Sequence, residues 1–260
     1  MAETLKWVNT VIQADVVPKR SSTDFQLPDN LKELVFMAKL FEEAERYDEM
    51  VLCMRKVVKL NNELDTDERN LLSVAFKNVI SPRRNAWRVI TTIESRESAK
   101  ESSENLPLIT NLRKEFEAEM SGVCDELISL LDTYLIPAVQ SGEPKVFYLK
   151  LKGDYHRYQA EIVPGEGHKQ AALDAYQKAT DVANSSLAPT HPIRLGLALN
   201  FSVFYYEIMK EHEKGFQLAR QAYDEAVTEL ESLDDEAYKE SNVIVRLLRD
   251  NLSLWTEEQP

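Results

Sequence analysis

The sequence predicts an all-α protein, and three observations carry that prediction. Apolar residues recur at spacings of three, four and seven through almost every stretch from Asn30 to Trp255. No stretch shows convincing two-residue alternation, so no sheet is expected. Glycine is scarce, with 7 in 260 residues, which suits a folded, helix-rich chain.

Taken in order, residues 3–17 make a short amphipathic stretch with Leu5, Val8, Val11 and Ile12 on one side and Trp7 nearby. A helix so short needs something to pack on. Pro18-Lys19-Arg20-Ser21-Ser22-Thr23 through Pro28 reads as a linker, whose basic residues before three hydroxyls also fit a kinase site. Residues 1–29 are therefore an extension, 30–256 a helical domain and 257–260 a short tail.

Asn30 with Glu33 fits a capping box before Leu31, Leu34, Val35, Ala38 and Phe41. A second helix runs through Tyr47, Val51, Met54 and Val58, and Asn61-Asn62 marks its end. Asp65 or Thr66 starts a longer helix, with Glu68 placed for the cap. Pro82 falls inside it and predicts a bend or local unwinding between Asn78 and Ser81. The polar run from Glu97 to Glu104 is a loop, and the next helix spans about Pro107 to Tyr134. After a turn at Pro137 to Pro144 comes the helix from Lys145, closed by Val163-Pro164-Gly165. Patterns at 168–186, 190–209, 212–232 and about 234–255 complete a count of nine beyond the extension.

Composition narrows the function. The formal net charge is -13, from 44 acidic against 31 basic side chains, which disfavours nucleic acid. No run of 18 apolar residues exists to cross a membrane, and the N-terminus lacks the cationic region of a signal peptide. Cys53 and Cys124 have neither disulfide nor metal spacing and read as reduced, buried thiols of a cytoplasmic protein. There is no Walker sequence, no nucleophile elbow and no His-Glu-x-x-His, so no catalytic set, cofactor or metal is expected. His191, before Pro192, reads as a helix-start residue.

Two basic rows stand out from the acidic whole. The segment Lys145 to Tyr158 carries Lys145, Lys150, Lys152 and Arg157 against the single Asp154. Lys150 and Arg157 are seven apart and share a helix face, beside a stripe of Phe147, Leu151, Tyr155 and Tyr158. Lys77, Arg83, Arg84 and Arg88 form the second row, with Lys77 and Arg84 again seven apart. Each row fits either a solvated helix face or half of a shared anion site. Leu199, Asn200, Val203 and Glu207 align on one late helix, as do Leu247, Asn251 and Leu254 on the last. Such stripes suit either core with a satisfied amide or a groove that grips an extended peptide.

The segments Arg69–Val79, Val146–Tyr155, Pro189–Ile208 and Leu247–Trp255 make the chain resemble the 14-3-3 proteins from about Leu31 to Trp255. The resemblance implies an antiparallel array of about nine helices forming a concave groove, and a homodimer shaped as a cup. It implies an adaptor without catalysis that binds phosphoserine or phosphothreonine segments of client proteins. Lys77, Arg84, Arg157 and Tyr158 match the phosphate-binding positions. Asn200 and Asn251 match the amides that hold the ligand backbone. Leu199, Val203, Ile244, Leu247 and Leu254 match the apolar wall, flanked by Lys150, Glu207 and Trp255. At the dimer interface the resemblance places Arg46 and Glu119 as a possible pair, with Leu34, Phe41 and Ile90 as apolar supply. Trp7, Val8 and Ile12 of the extension begin next to it. The chain departs from the family pattern at Ser81-Pro82, at Ala86 before Trp87, and in the length of its extension. The alternative reading is a helical-repeat scaffold that takes unphosphorylated peptides in the same groove.

Overall fold

The computed structural model describes residues 26–100 and 102–258, so the amphipathic stretch at 3–17 lies outside the described residues. Within them the chain forms nine helices and no strand. These are α1 (Leu31–Glu43), α2 (Tyr47–Leu60), α3 (Thr66–Ser98) and α4 (Leu106–Leu130). They continue as α5 (Gly142–Ile162), α6 (Gly167–Ser186), α7 (Pro192–Val203), α8 (His212–Leu230) and α9 (Asp235–Glu258).

Local chemistry sets several of the boundaries. Asn30 Oδ1 accepts from the N–H groups of Lys32 and Glu33, at 2.9 and 3.3 Å. Asp65 and Glu68 form the full reciprocal capping box at the start of α3, satisfying two otherwise orphan donors. His191 starts α7 as read from sequence, its Nδ1 accepting from the Ile193 N–H at 3.2 Å.

Pro82 does not unwind α3. The helix is α-helical without interruption from Thr66 to Ser98, so the local unwinding expected between Asn78 and Ser81 does not occur. Packing of the preceding residues explains the persistence: Ala75, Phe76, Val79 and Ile80 are all buried. Burying large apolar side chains contributes about 1.5–3 kcal/mol each, enough together to offset one lost hydrogen bond.

Two wide turns were not foreseen. Leu131–Leu135 extends α4 as a π-helical turn, followed by one further turn at Ile136–Ala138. Pro137 gives the reason, because its ring would crowd the carbonyl four residues earlier and a wider turn relieves that clash. The Ile136 N–H accordingly reaches back five residues to the Leu131 carbonyl. A second π turn, Phe204–Ile208, ends α7, and the Met209 N–H donates to the Phe204 carbonyl at 3.0 Å.

The core falls into three adjoining clusters. The first joins α1 to α5 around Leu34, Met50, Met54, Leu72, Phe76, Met120, Leu127 and Tyr148. The second joins α5, α6 and α7 around Tyr176, Phe201 and Phe204. The third joins α7, α8 and α9 around Tyr206, Leu248 and Trp255. Cys53 and Cys124 are buried and free, and burial pushes their thiols up to about 11 and about 12. Among the described residues no helix is long and apolar enough to cross a membrane.

Candidate functional site

The helix α5 holds the centre of the site. On its fourth to sixth turns, Arg157, Tyr158 and Glu161 meet side chains of α3, and Asp154 reaches α6 and α7. Arg84 of α3 crosses to Glu161, donating from Nε at 3.2 Å and from a terminal nitrogen at 2.5 Å. Arg88 lies 3.5 Å from the same carboxylate, and Arg157 lies 3.8 Å from it. Three guanidinium groups from two helices thus converge on one carboxylate.

Tyr158 supplies an aromatic floor. The Arg84 guanidinium sits 4.2 Å from its ring centre and the Arg157 guanidinium 4.7 Å. Cations over an aromatic face are attracted by its quadrupole, so the ring holds two like charges at one place.

Below them lies a buried polar network. Asp154 is 4% exposed, yet it is fully engaged. It accepts from Lys150 Nζ at 2.8 Å, from Tyr176 Oη at 2.6 Å and from Asn200 Nδ2 at 2.8 Å. Burial works against its charge, but Lys150 and Arg157 beside it hold the carboxyl below its ordinary value. Arg157 Nε in turn donates to the Tyr176 hydroxyl at 3.2 Å. Burial works against the charge of Arg157 as well, yet Tyr176, Tyr158 and Asp154 shift its pKa upward, so the side chain stays cationic. Lys150, Arg84, Arg88 and Arg157 against Asp154 and Glu161 leave a local excess of two positive charges. A cluster with that excess attracts a dianion.

The network links alternate helices. The Arg84–Glu161 pair ties α3 to α5, and the Asp154–Asn200 bond ties α5 to α7. Leu199, Val203 and Ile244 pack on the third cluster and tie α7 to α9. Beyond them Leu247 and Leu254 are about half exposed, at 47% and 52%, so α9 presents unburied apolar surface. Asn251 is half-buried on the same helix, and Glu207 is exposed at the end of α7.

Each sequence-derived residue can now be placed. Arg84, Arg157 and Tyr158 meet, with Lys150 and Asn200 joined to them through Asp154. Lys77 is exposed two turns before Arg84 on the unbroken helix, hence on the same side. Arg83, from the same basic row, turns away to Glu119 at 2.9 Å and Asp48 at 3.5 Å. Lys145 and Lys152 leave the other row: Lys145 donates to the Ile136 and Val139 carbonyls, and Lys152 to Asp132. Trp255 is only 4% exposed and stacks on Tyr206 with ring centres 4.3 Å apart, so it fastens α9 to α7 more than it lines a surface. Glu161, Asp154 and Tyr176 were missed as partners, although Glu161 sits one turn beyond Arg157 and Arg88 one turn beyond Arg84.

Fold and surface together define a class: an all-α array whose inner helices carry a guanidinium cluster beside apolar and amide-bearing helices. The family model described as 14-3-3 protein matches residues 37–256. The chain belongs to the 14-3-3 family. The 14-3-3-like protein GF14 chi of Arabidopsis thaliana is 56% identical over 231 residues, covering 87% of this chain and 86% of that protein. The 14-3-3 family protein artA of Aspergillus flavus is 53% identical over 232 residues, covering 88% and 98%. A 14-3-3-like protein of Chlamydomonas reinhardtii is 56% identical over 232 residues, covering 87% and 90%. Members of this family are adaptors rather than enzymes, and they bind client proteins and form dimers.

Proposed function

We propose that this protein is a phosphoserine- and phosphothreonine-dependent adaptor that docks phosphorylated client proteins. Lys77, Arg84, Arg157 and Tyr158 receive the phosphate. Asn200 and Asn251 hold the ligand backbone. Leu199, Val203, Ile244, Leu247 and Leu254 contact its flanking side chains, Lys150 and Glu207 border the groove, and Trp255 supports it from behind, stacked on Tyr206. The observation that carries this reading is the convergence of Arg84, Arg88 and Arg157 on Glu161, over the Tyr158 ring. A carboxylate already occupies the cationic focus, and a phosphate with about -1.5 to -2 charges is a stronger competitor for the same donors.

The working unit is a cytoplasmic homodimer built from residues 30–256, with 1–29 as an added segment. Exposed apolar side chains support the interface: Phe36 and Leu40 on α1, Val89 and Ile93 on α3, Leu108 and Leu112 on α4. Leu34 was expected to contribute there, but it is fully buried within the protomer and has no surface to offer. Arg46 and Glu119 are engaged within the chain, by Glu49 and Arg83 respectively.

Charge reversal tests the site. Arg157→Glu or Arg84→Glu should weaken a phosphoserine peptide by about 100-fold or more, because each charge-assisted hydrogen bond contributes about 1.5–3 kcal/mol. Circular dichroism should show unchanged helix content. Retained affinity in both variants would refute the assignment.

A further inference from the structure

The outer side of α1 carries a second groove, unlike the anion site in chemistry. Glu33, Phe36, Met37 and Leu40 recur at spacings of three, four and seven and so lie along one side of that helix. Leu27 and Pro28 complete the lining of a cavity of about 490 Å³. Phe36 and Leu40 are 62% and 51% exposed, so this apolar lining is uncovered among the described residues. Leu27 is itself fixed in place. It packs on the first core cluster, and Lys56 Nζ donates to its carbonyl at 3.2 Å and to Asp29 at 2.5 Å.

We propose that residues 3–17 of the same chain seat in this groove. Position, reach and chemistry select that occupant. The described chain begins at Gln26, which borders the cavity, so the preceding residues depart from its rim. Residues 18–25 span at most about 26–29 Å when extended, whereas α1 with its 13 residues is about 20 Å long. The tether therefore lets the segment return alongside any turn of α1. Leu5, Val8 and Ile12 repeat the spacings of three, four and seven found on α1, and Lys6, the one cation of the stretch, can meet Glu33.

The energetics favour the same arrangement. An isolated helix of this length is marginal in water, so the stripe needs a surface to form on. A short tether sets a local concentration of the order of millimolar, and a modest apolar contact then suffices to fill the seat. With Leu5, Val8 and Ile12 toward the groove, Trp7 and Val11 fall at the margin of the stripe, beside the edge that α1 offers to a second protomer.

Hydrogen exchange on the full chain tests the proposal. Amides of residues 5–12 should exchange at least about tenfold more slowly than in an isolated peptide of residues 1–20, equally at low and high micromolar protein concentration. Ile12→Glu and Phe36→Glu should each remove that protection. Phe36 is exposed, and unchanged circular dichroism will confirm that both variants fold. Free-chain exchange of residues 5–12 in the parent, or protection kept in both variants, would overturn the proposal. So would protection that rises with protein concentration, which would give the groove to a second copy. Protection lost on adding excess phosphoserine peptide would also overturn it, by assigning the segment to the cationic groove.

Discussion

Gly153 decides where Tyr176 can lie. A Cβ on Gly153 would stand 2.7 Å from two ring carbons of Tyr176, closer than side chains tolerate. Without that atom the ring settles on α5 and its hydroxyl bridges Asp154 and Arg157. Gly153→Ala should therefore displace the ring, loosen both charged groups, and destabilise the fold by about 1–3 kcal/mol, the usual range for overpacking. Denaturant unfolding would measure the loss, and a phosphopeptide titration should show weaker binding as well. An unchanged midpoint would mean that Tyr176 has room to move. The cationic members of this cluster were legible in the sequence as two basic rows, one with Arg84 and Arg88 and the other with Lys150 and Arg157. Its acidic half was not. Glu161 is one of 44 acidic residues, and nothing local marks it as the one that Arg84 reaches across 77 positions.

At the scale of elements, the period of the apolar residues placed all nine described helices, while turn chemistry set some ends too tightly, since α3 runs on to Ser98 and α5 starts at Gly142 inside the expected turn. Two features escaped that reading. A π turn differs from an α turn by one residue, so Leu131–Leu135 and Phe204–Ile208 leave the apolar pattern almost intact. The unwinding expected at Pro82 does not occur, because backbone chemistry alone leaves out the buried residues that hold α3 together. Pro82→Ala restores a backbone donor in an otherwise regular helix. It should raise stability by about 1–3 kcal/mol, up to the cost of an interior proline. Phosphopeptide affinity should stay unchanged, since the helix already carries Lys77 and Arg84 on one side. A lower thermal midpoint would indicate that the proline is favourable where it stands.

For the whole molecule, the acidic surface and the cationic groove are compatible because salt screens exposed charges beyond about 8 Å. The exposed apolar residues on α1, α3 and α4 would give the proposed dimer a driving force unlike that of the anion site, since apolar burial is non-directional. Sedimentation at micromolar concentration should give a dimer, and Leu40→Glu or Leu112→Glu should shift it toward monomer. A parent chain that sediments as a monomer would defeat the interface. A chain beginning at Pro28 should still dimerise, though more weakly if Trp7, Val8 and Ile12 pack across the two protomers. Tighter peptide binding after that truncation would instead assign the extension to the groove.

In the proposed function, phosphate held by Arg84, Arg157 and Tyr158 decides binding. Titrating a labelled phosphoserine peptide and its unphosphorylated twin against the same full chain tests it most directly. The phosphorylated peptide should bind at least about 100-fold tighter, since losing the phosphate removes several charge-assisted hydrogen bonds of about 1.5–3 kcal/mol each. Equal affinity for the two peptides would contradict the account.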